Sequence, residues 1–598
     1  MLVHKADASK PLRSLLAPLL LLPLVGGSMI ACQSYDKPSD GDTGQPADLV
    51  LLGGRIVTMN AKQPEVEALA SRDGVLVAVG GRAEVEALIG EGTEVVDLGG
   101  QLAIPGFVEG HAHFLGVGDQ KIQLPLAEAM SWQDIVAMVL DAAETAPAGS
   151  WIRGRGWHQD KWSDQPARVV DGFPTHDELS AAAPDHPVLL THASGHAVLV
   201  NAKALELAGI DGETPDPPGG DIVRDVSGRA TGLLNETAEG LVQAVRGETD
   251  AAEIERMIEL ASQECQENGI TSFQDAGQGF DEIAALREAS SAGKVGTRLW
   301  VMLGASNEEL AQRLPDFDLE ADLEAATPDA AAAPQVVVGG IKRYMDGALG
   351  SRGALLLEPY SDDRDTSGLR LTEIESLRET AELAVEHGLQ LCVHAIGDRA
   401  NREVLDLFAD TFAAHPEKSD LRWRIEHAQH LDPADLPRFA ELGVVASVQS
   451  VHCTSDGPWV PDRLGSRRAE EGAYMWRDLI DSGARVINGT DAPVEDIDPI
   501  ANFASAVTRR VASGEVFFPD QVMTRPEALR SMTLDAAWGA FQSDRVGSLE
   551  VGKLADVVVL DKDILTVPDE EIETARVMLT VLGGRIVHRG GGEAAAGG

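Results

Sequence analysis

The stretch PGFVEGHAHF, Pro105–Phe114, sets an apolar run and a Pro-Gly before two histidines one residue apart. Along a strand successive side chains point to opposite faces, so residues i and i+2 share one. His111 and His113 would then aim both imidazoles at one point, as a divalent metal ion requires of neutral nitrogen ligands. The same pair also fits an ordinary polar loop, because 15 histidines in 598 residues allow chance pairs. The rest of the chain has to decide.

Working outward, eight apolar runs share the grammar of the first. They are AIPGFVEGHAHF, GITSFQDAG, TRLWVMLG, VVVGGIKRYMDG, LQLCVHAIGD, RWRIEHAQH, GVVASVQS and ARVINGTDAP. Amphipathic stretches such as IESLRETAELAVEHG and DPADLPRFAELG fall between them, each with a glycine near its end, a helix-stop signal. Eight strand-then-helix units predict an α/β fold, a (β/α)8 TIM barrel, whose chemistry gathers at the C-terminal ends of the strands. A doubly wound open sheet is the rival, but no Gly-rich phosphate fingerprint follows the first strand.

Short β-like runs with Gly-rich turns occupy residues 48–104 and return at 544–593, where LLGGRIV and VLGGRIV echo each other. Paired, they predict a small β-sandwich built from both chain ends, since either set alone would leave edges open. The barrel would span 105–543. From His113 to the second strand lie about 155 residues, several times an ordinary connection. With its own strand-like run PVLLTHASGHAVLV, this interval predicts an inserted subdomain at about 115–265, either a lid over the barrel mouth or surface decoration.

Composition is that of a globular chain, 44% hydrophobic and 24% charged. An excess of 96 acidic over 49 basic residues argues against nucleic acid as a partner. The start differs. Lys5, Lys10 and Arg13 precede an apolar run of 11 residues, Leu15–Val25, and small residues lead to Cys32. That order reads as a signal peptide over 1–31, followed by a flexible tether over 32–47. The thiol after Ala31 resembles a bacterial lipobox, from which Met29 and Ile30 depart. The expectation is an exported, bacterial envelope protein. It would be lipid-anchored through Cys32, with the outer membrane favoured by Gln33, or periplasmic. The remaining Cys265, Cys392 and Cys453 form neither a disulfide framework nor a thiolate metal site.

On the predicted strand ends stand His111 and His113 (strand 1), Lys342 (strand 4), His394 (strand 5), His427 (strand 6) and Asp491 (strand 8). PGFVEGHAHF, the later single histidines and GTDAP are similar to the amidohydrolase superfamily, and GSLEVGKLADVVVLD to its C-terminal sheet segment. The match runs from about Asp48 to Arg589. KRYMDGALGSRGA, HAIGDRA, IEHAQ, PVLLTHASGHAVLVNAKAL and RDVSGRATGLLNE resemble the branch that contains N-substituted formamide deformylases.

The resemblance implies one or two divalent metal ions, Zn2+ foremost. His111, His113 and Asp491 would hold one, and His394 and His427 the other. Lys342 would bridge them as a CO2-derived carbamate, since an ammonium cannot ligate and is disfavoured beside two cations. It implies a hydrolase of non-peptide C–N bonds in amide, N-formyl or N-acyl substrates. Metal-activated hydroxide would attack the carbonyl, and Asp491 would carry the proton to the leaving nitrogen. Asp491 before Ala492-Pro493 also fits an Asx-turn.

By position His196, Asn201, Trp157, Arg343 and His452 are candidate substrate contacts, although Trp157 and Trp162 serve equally well as the insertion's own core. The alternatives are a mononuclear deaminase, an ester or lactone hydrolase on the same barrel, and a catalytically silent small-molecule-binding lipoprotein. A deaminase of this kind resembles the others but carries a proton-shuttle Glu three residues after the strand-5 histidine, and HAIGDRA offers none. Expected partners are a small-molecule amide, the membrane through the anchor, and a second copy in a homodimer.

Overall fold

The computed structural model describes residues 45–591 apart from 165, 248, 318 and 320–335. The predicted signal peptide, Cys32 and most of the tether lie outside the described residues, as do the last residues of the second β segment. Among the described residues no helix is long and apolar enough to cross a membrane.

Eight parallel strands build the barrel in chain order: β1 (Phe107–Ala112), β2 (Ile270–Gln278), β3 (Arg298–Leu303), β4 (Val336–Tyr344), β5 (Gln390–Ala395), β6 (Arg424–His427), β7 (Val445–Gln449) and β8 (Arg485–Gly489). Each falls inside one of the eight apolar runs except β2, which extends one residue past its run to Gln278. The runs read as continuous because helices cover the outer face while side chains fill the inside, so both faces are buried. The helix Ile374–His387 ends at Gly388 in the left-handed region (φ 70°), as its stop signal predicts.

The sheet curls until β8 meets β1, and glycine makes that approach. A Cβ on Gly110 would lie 2.6 Å from the Asn488 carbonyl oxygen, and one on Gly489 would lie 2.3 Å from the His111 nitrogen. At the rim the Asp491 N–H donates to the His111 carbonyl (2.7 Å) and the His113 N–H to the Ala492 carbonyl (2.7 Å).

The two chain ends meet in a second eight-stranded sheet. Leu49–Val57 pairs antiparallel with Glu65–Arg72 and parallel with Leu102–Pro105, which pairs antiparallel with the C-terminal strand Val557–Leu560. Leu49 and Leu51 pack into one apolar layer while Val50 and Leu52 pack into another, so both faces of this sheet carry a core.

Between β1 and β2 stands the insertion, with its own six-stranded sheet and two apolar clusters of its own. It is tied to the barrel rim where Arg155 Nε donates to the Pro493 carbonyl at 3.2 Å.

Candidate metal centre

Strand alternation puts Glu109 and His111 on one inward face of β1, and His113 follows at its end. Glu109 Oε1 accepts from the His111 N–H (3.0 Å) and the Thr490 N–H (2.8 Å), and Oε2 accepts from the Thr490 hydroxyl (2.9 Å). One buried carboxyl thereby welds EGHAH to GTDAP. Asp491 then sits with Oδ1 3.2 Å from His113 Nε2 and 3.5 Å from His111 Nε2. The rings of His427 and His111 are 5.1 Å apart and those of His394 and His427 4.4 Å. Lys342 Nζ lies 3.2 Å from His111 Nε2. All six sequence-predicted ligand positions therefore meet at one rim, and single donor atoms of His111, His427 and Asp491 lie within 4.8 Å of one another.

The donor set fits a cation. His111 Nδ1 faces Glu426 Oε2 at 2.5 Å, and a carboxylate only accepts, so Nδ1 carries the proton and Nε2 a lone pair. His427 Nδ1 likewise faces Gln449 Oε1 at 2.7 Å, an oxygen oriented by the Gln449 amide's bond to the Ser447 carbonyl (3.2 Å). His394 Nε2 is buried with no hydrogen-bond partner, and Asp491 Oδ1 makes no well-directed hydrogen bond although two imidazoles press on it. Lys342 Nζ donates to His111 Nε2, but His394 Nε2 and Asp491 Oδ1 are left without a hydrogen-bond partner, and a cation among them would satisfy both.

Protonation supports the same reading. Burial, followed by the Lys342 charge, pushes His111 down to about 4, and burial holds His394 and His427 well below the ordinary imidazole value. Burial alone would raise the Asp491 carboxyl, but the close approach of His113 and the neighbouring His111 and His427 hold it well below the usual range. Those shifts favour neutral imidazoles at His111, His394 and His427 and an ionised carboxylate at Asp491, as ligation demands.

Three backbone positions at the centre are strained as well. His427 (φ 76°), Ala428 (φ 42°) and Asp491 (φ 60°) occupy the left-handed region without being glycine. Each such residue costs on the order of 1–3 kcal/mol and persists where surrounding structure over-determines it.

The other candidates separate. His196 reaches the centre, its ring 6.3 Å from His394, and His452 Nε2, buried and unpartnered, lies 3.9 Å from Asp491 Oδ2. Arg343 does not reach it. One residue on from Lys342, it points to the opposite face and bonds Asn307 Oδ1 (2.8 Å), Thr380 Oγ1 (3.1 Å) and the Lys342 carbonyl (2.8 Å). Trp157 is also corrected: it is 1% exposed in the insertion's core, its indole N–H bonded to the Leu190 carbonyl at 2.9 Å. Asn201 caps a helix and donates to the Ala183 and His186 carbonyls.

Sequence reasoning missed the supports. Arg424 Nε meets Glu426 Oε1 at 2.7 Å inside the barrel, both fully buried. Tyr344, two residues beyond Lys342 and so on its face, lays its ring 4.9 Å from Nζ and 5.4 Å from the His394 ring. Counting in twos from Lys342 and His111 would have found Tyr344 and Glu109, while the Arg424–Glu426 pair stands out of phase with His427.

A barrel with imidazoles, a lysine and an aspartate gathered at its C-terminal rim defines a metal-dependent hydrolase fold. Residues 94–588 match the amidohydrolase family, and the chain belongs to it. Protein LONG AFTER FAR-RED 3 of Arabidopsis thaliana is 34% identical over 90% of this chain and 91% of its own. The N-substituted formamide deformylase of Arthrobacter pascens is 27% identical over 90% of this chain and 98% of its own. The crystal structure of an uncharacterized metal-dependent hydrolase from Pyrococcus horikoshii superposes with a TM-score of 0.70 at 28% identity, covering 87% of this chain and 99% of that one.

Proposed function

We propose that the protein hydrolyses a non-peptide C–N bond of a small amide, N-formyl or N-acyl substrate at this centre. The observation that carries the reading is the convergence of the imidazoles, Lys342 and the Asp491 carboxylate at one rim, with His394 Nε2 and Asp491 Oδ1 left without a hydrogen-bond partner. Relatives that include a formamide deformylase support the bond type.

His111, His113 and Asp491 would hold one divalent ion and His394 and His427 a second, zinc by the nitrogen-rich donor set, with Lys342 bridging as a carbamate. Bound there, such ions supply Lewis acidity, which acidifies a water molecule and polarises a carbonyl. The chain does the rest. Asp491, ionised at neutral pH, is placed to take the water's proton and to return it to the leaving nitrogen. Glu426 and Gln449 fix the tautomers that expose the His111 and His427 lone pairs. The insertion, tied to the rim through Arg155 and Pro493, would serve as its lid and limit water.

The basic start, apolar run and Cys32 support export and a lipid anchor at a bacterial envelope. A Cys32→Ala chain that stays membrane-bound would overturn the anchor.

The test of the activity is hydrolysis of formanilide, acetanilide and N-acyl amines by purified protein. The expected result is turnover that chelator abolishes and Zn2+ restores. Turnover indifferent to exhaustive chelation, or confined to esters, would contradict the reading.

A further inference from the structure

The insertion brings to the rim a guanidinium that the fold leaves without a counter-ion. Arg155 lies on the strand Ile152–Trp157, two residues after Arg153 and on the same face. Arg153 is engaged by Asp119 Oδ1 at 2.8 Å and by Glu253. Arg155 makes one hydrogen bond, from Nε to the Pro493 carbonyl at 3.2 Å. Among the described residues neither of its terminal nitrogens has a hydrogen-bond or ion-pair partner. Burial lowers its pKa, and Asp491, Glu239 and Asp119 answer only through their fields. Withdrawing a charge from water without pairing it is costly, and Arg298 and Arg424 meet that cost with Asp556 at 2.9 Å and Glu426 at 2.7 Å.

The unpartnered end lies between the insertion and the rim loop. A Cβ on Gly195 would stand 3.4 Å from Arg155 Nη2 and 3.7 Å from Nη1, so the glycine leaves the tip of the fork uncovered. The next residue is His196, whose Nδ1 lies 2.9 Å from Glu236 Oε2 and whose ring lies 6.3 Å from that of His394. On the other side Pro493 follows Asp491 by two residues, a span of at most about 7 Å. One small molecule can therefore touch both the fork and the metal centre, and Arg155, half-buried, remains open to solvent.

A guanidinium offers parallel N–H donors that match a planar carboxylate. The surrounding carboxylates favour such a monoanion over a doubly charged phosphate. We propose that the terminal nitrogens of Arg155 bind a carboxylate carried by the substrate while its amide lies at the metal centre. The substrate class is then amides that bear a carboxylate several bonds from the scissile one. This inference rests on the C–N hydrolase reading.

The test sets a series of ω-formamido acids of increasing chain length beside their neutral carboxamides, on the zinc-loaded full chain and on Arg155→Met and Arg155→Lys. At the best length the wild type should favour the acid in kcat/KM by about ten- to a hundredfold, the size of a charge-assisted pair. Arg155→Met should erase that preference, and Arg155→Lys, which keeps the charge without the fork, should retain part of it. A preference absent at every length, or one that survives in Arg155→Met, would reduce Arg155 to tying the insertion to the rim and overturn the proposal. Calorimetric titration supplies a readout apart from turnover, with the monohydroxamates of succinate, glutarate and adipate beside their neutral amides. The wild type should bind a charged probe more tightly than its neutral counterpart, and Arg155→Met should bind the two alike. Equal Kd values in the wild type throughout would overturn it. Failure of the wild type to hydrolyse any of the formamides would instead count against the C–N reading, with the hydroxamates still deciding the role of Arg155.

Discussion

His111 Nδ1 lies 2.5 Å from Glu426 Oε2, both side chains wholly buried, and Arg424 Nε meets the second carboxylate oxygen at 2.7 Å. A buried ion pair inside a barrel is weak evidence for stability, because desolvation offsets its attraction. Its use here is to hold one tautomer. Glu426→Gln keeps the volume but offers an amide N–H, which favours the tautomer whose Nε2 is protonated and cannot ligate. Zinc affinity, measured by competition with a chromophoric chelator, should fall about 10- to 100-fold. Unchanged affinity would show that Glu426 only balances Arg424.

Lys342→Ala removes the sole primary amine at the centre among the described residues with the Nζ 3.2 Å from His111 Nε2. Bound metal should drop by one ion per chain, and millimolar acetate or formate should restore part of it by supplying a bridging carboxylate. No rescue and no loss of metal would leave Lys342 a cation rather than a carbamate.

Gly110→Ala introduces a methyl 2.6 Å from the Asn488 carbonyl oxygen, and the neighbour is backbone that cannot swing aside. Opening the β1–β8 seam should cost about 2–4 kcal/mol by urea unfolding and pull Asp491 from His113. A variant with full stability and full metal content would contradict this view of the closure.

Much of the fold was legible because each barrel strand is buried on both faces and so reads as an apolar run. His111, His113, Lys342, His394, His427 and Asp491 stand at or near the ends of five of those runs, and the family resemblance singled them out as ligands. Nearness in sequence misplaced Arg343, and of the two readings open for Trp157 the core one holds. Alternation turns Arg343 outward from Lys342, and Trp157 follows the insertion's own core. The positive φ of His427 breaks the alternation of β6 and lets Glu426 and His427 both serve the centre, which no periodicity announces. Glu236 lies 40 residues from His196 across a sheet whose order only the structure reveals.

His430 offers a pH test away from the ligand atoms. It is buried with neither ring nitrogen hydrogen-bonded, beside Tyr474 at 5.7 Å, and burial pushes it down to about 3 from 6.5. Between those values the unfolded chain binds a proton that the folded one does not, so stability rises with pH in that window and is lost as pH falls below about 6.5. His430→Phe removes this dependence. Relative to wild type, it should gain about 2 kcal/mol on going from pH 7 to pH 5, read from urea midpoints at the two pH values. Parallel pH profiles for both proteins would refute it.

The central claim is that His111, His113, Lys342, His394, His427 and Asp491, drawn from four barrel strands and the turn after a fifth, exist to hold metal. Elemental mass spectrometry of the purified full chain, beside Asp491→Ala, tests it most directly. One to two divalent ions per wild-type chain, with the variant stripped of at least one, is the predicted result. A wild-type chain that folds and turns over amide with no stoichiometric metal would contradict the account.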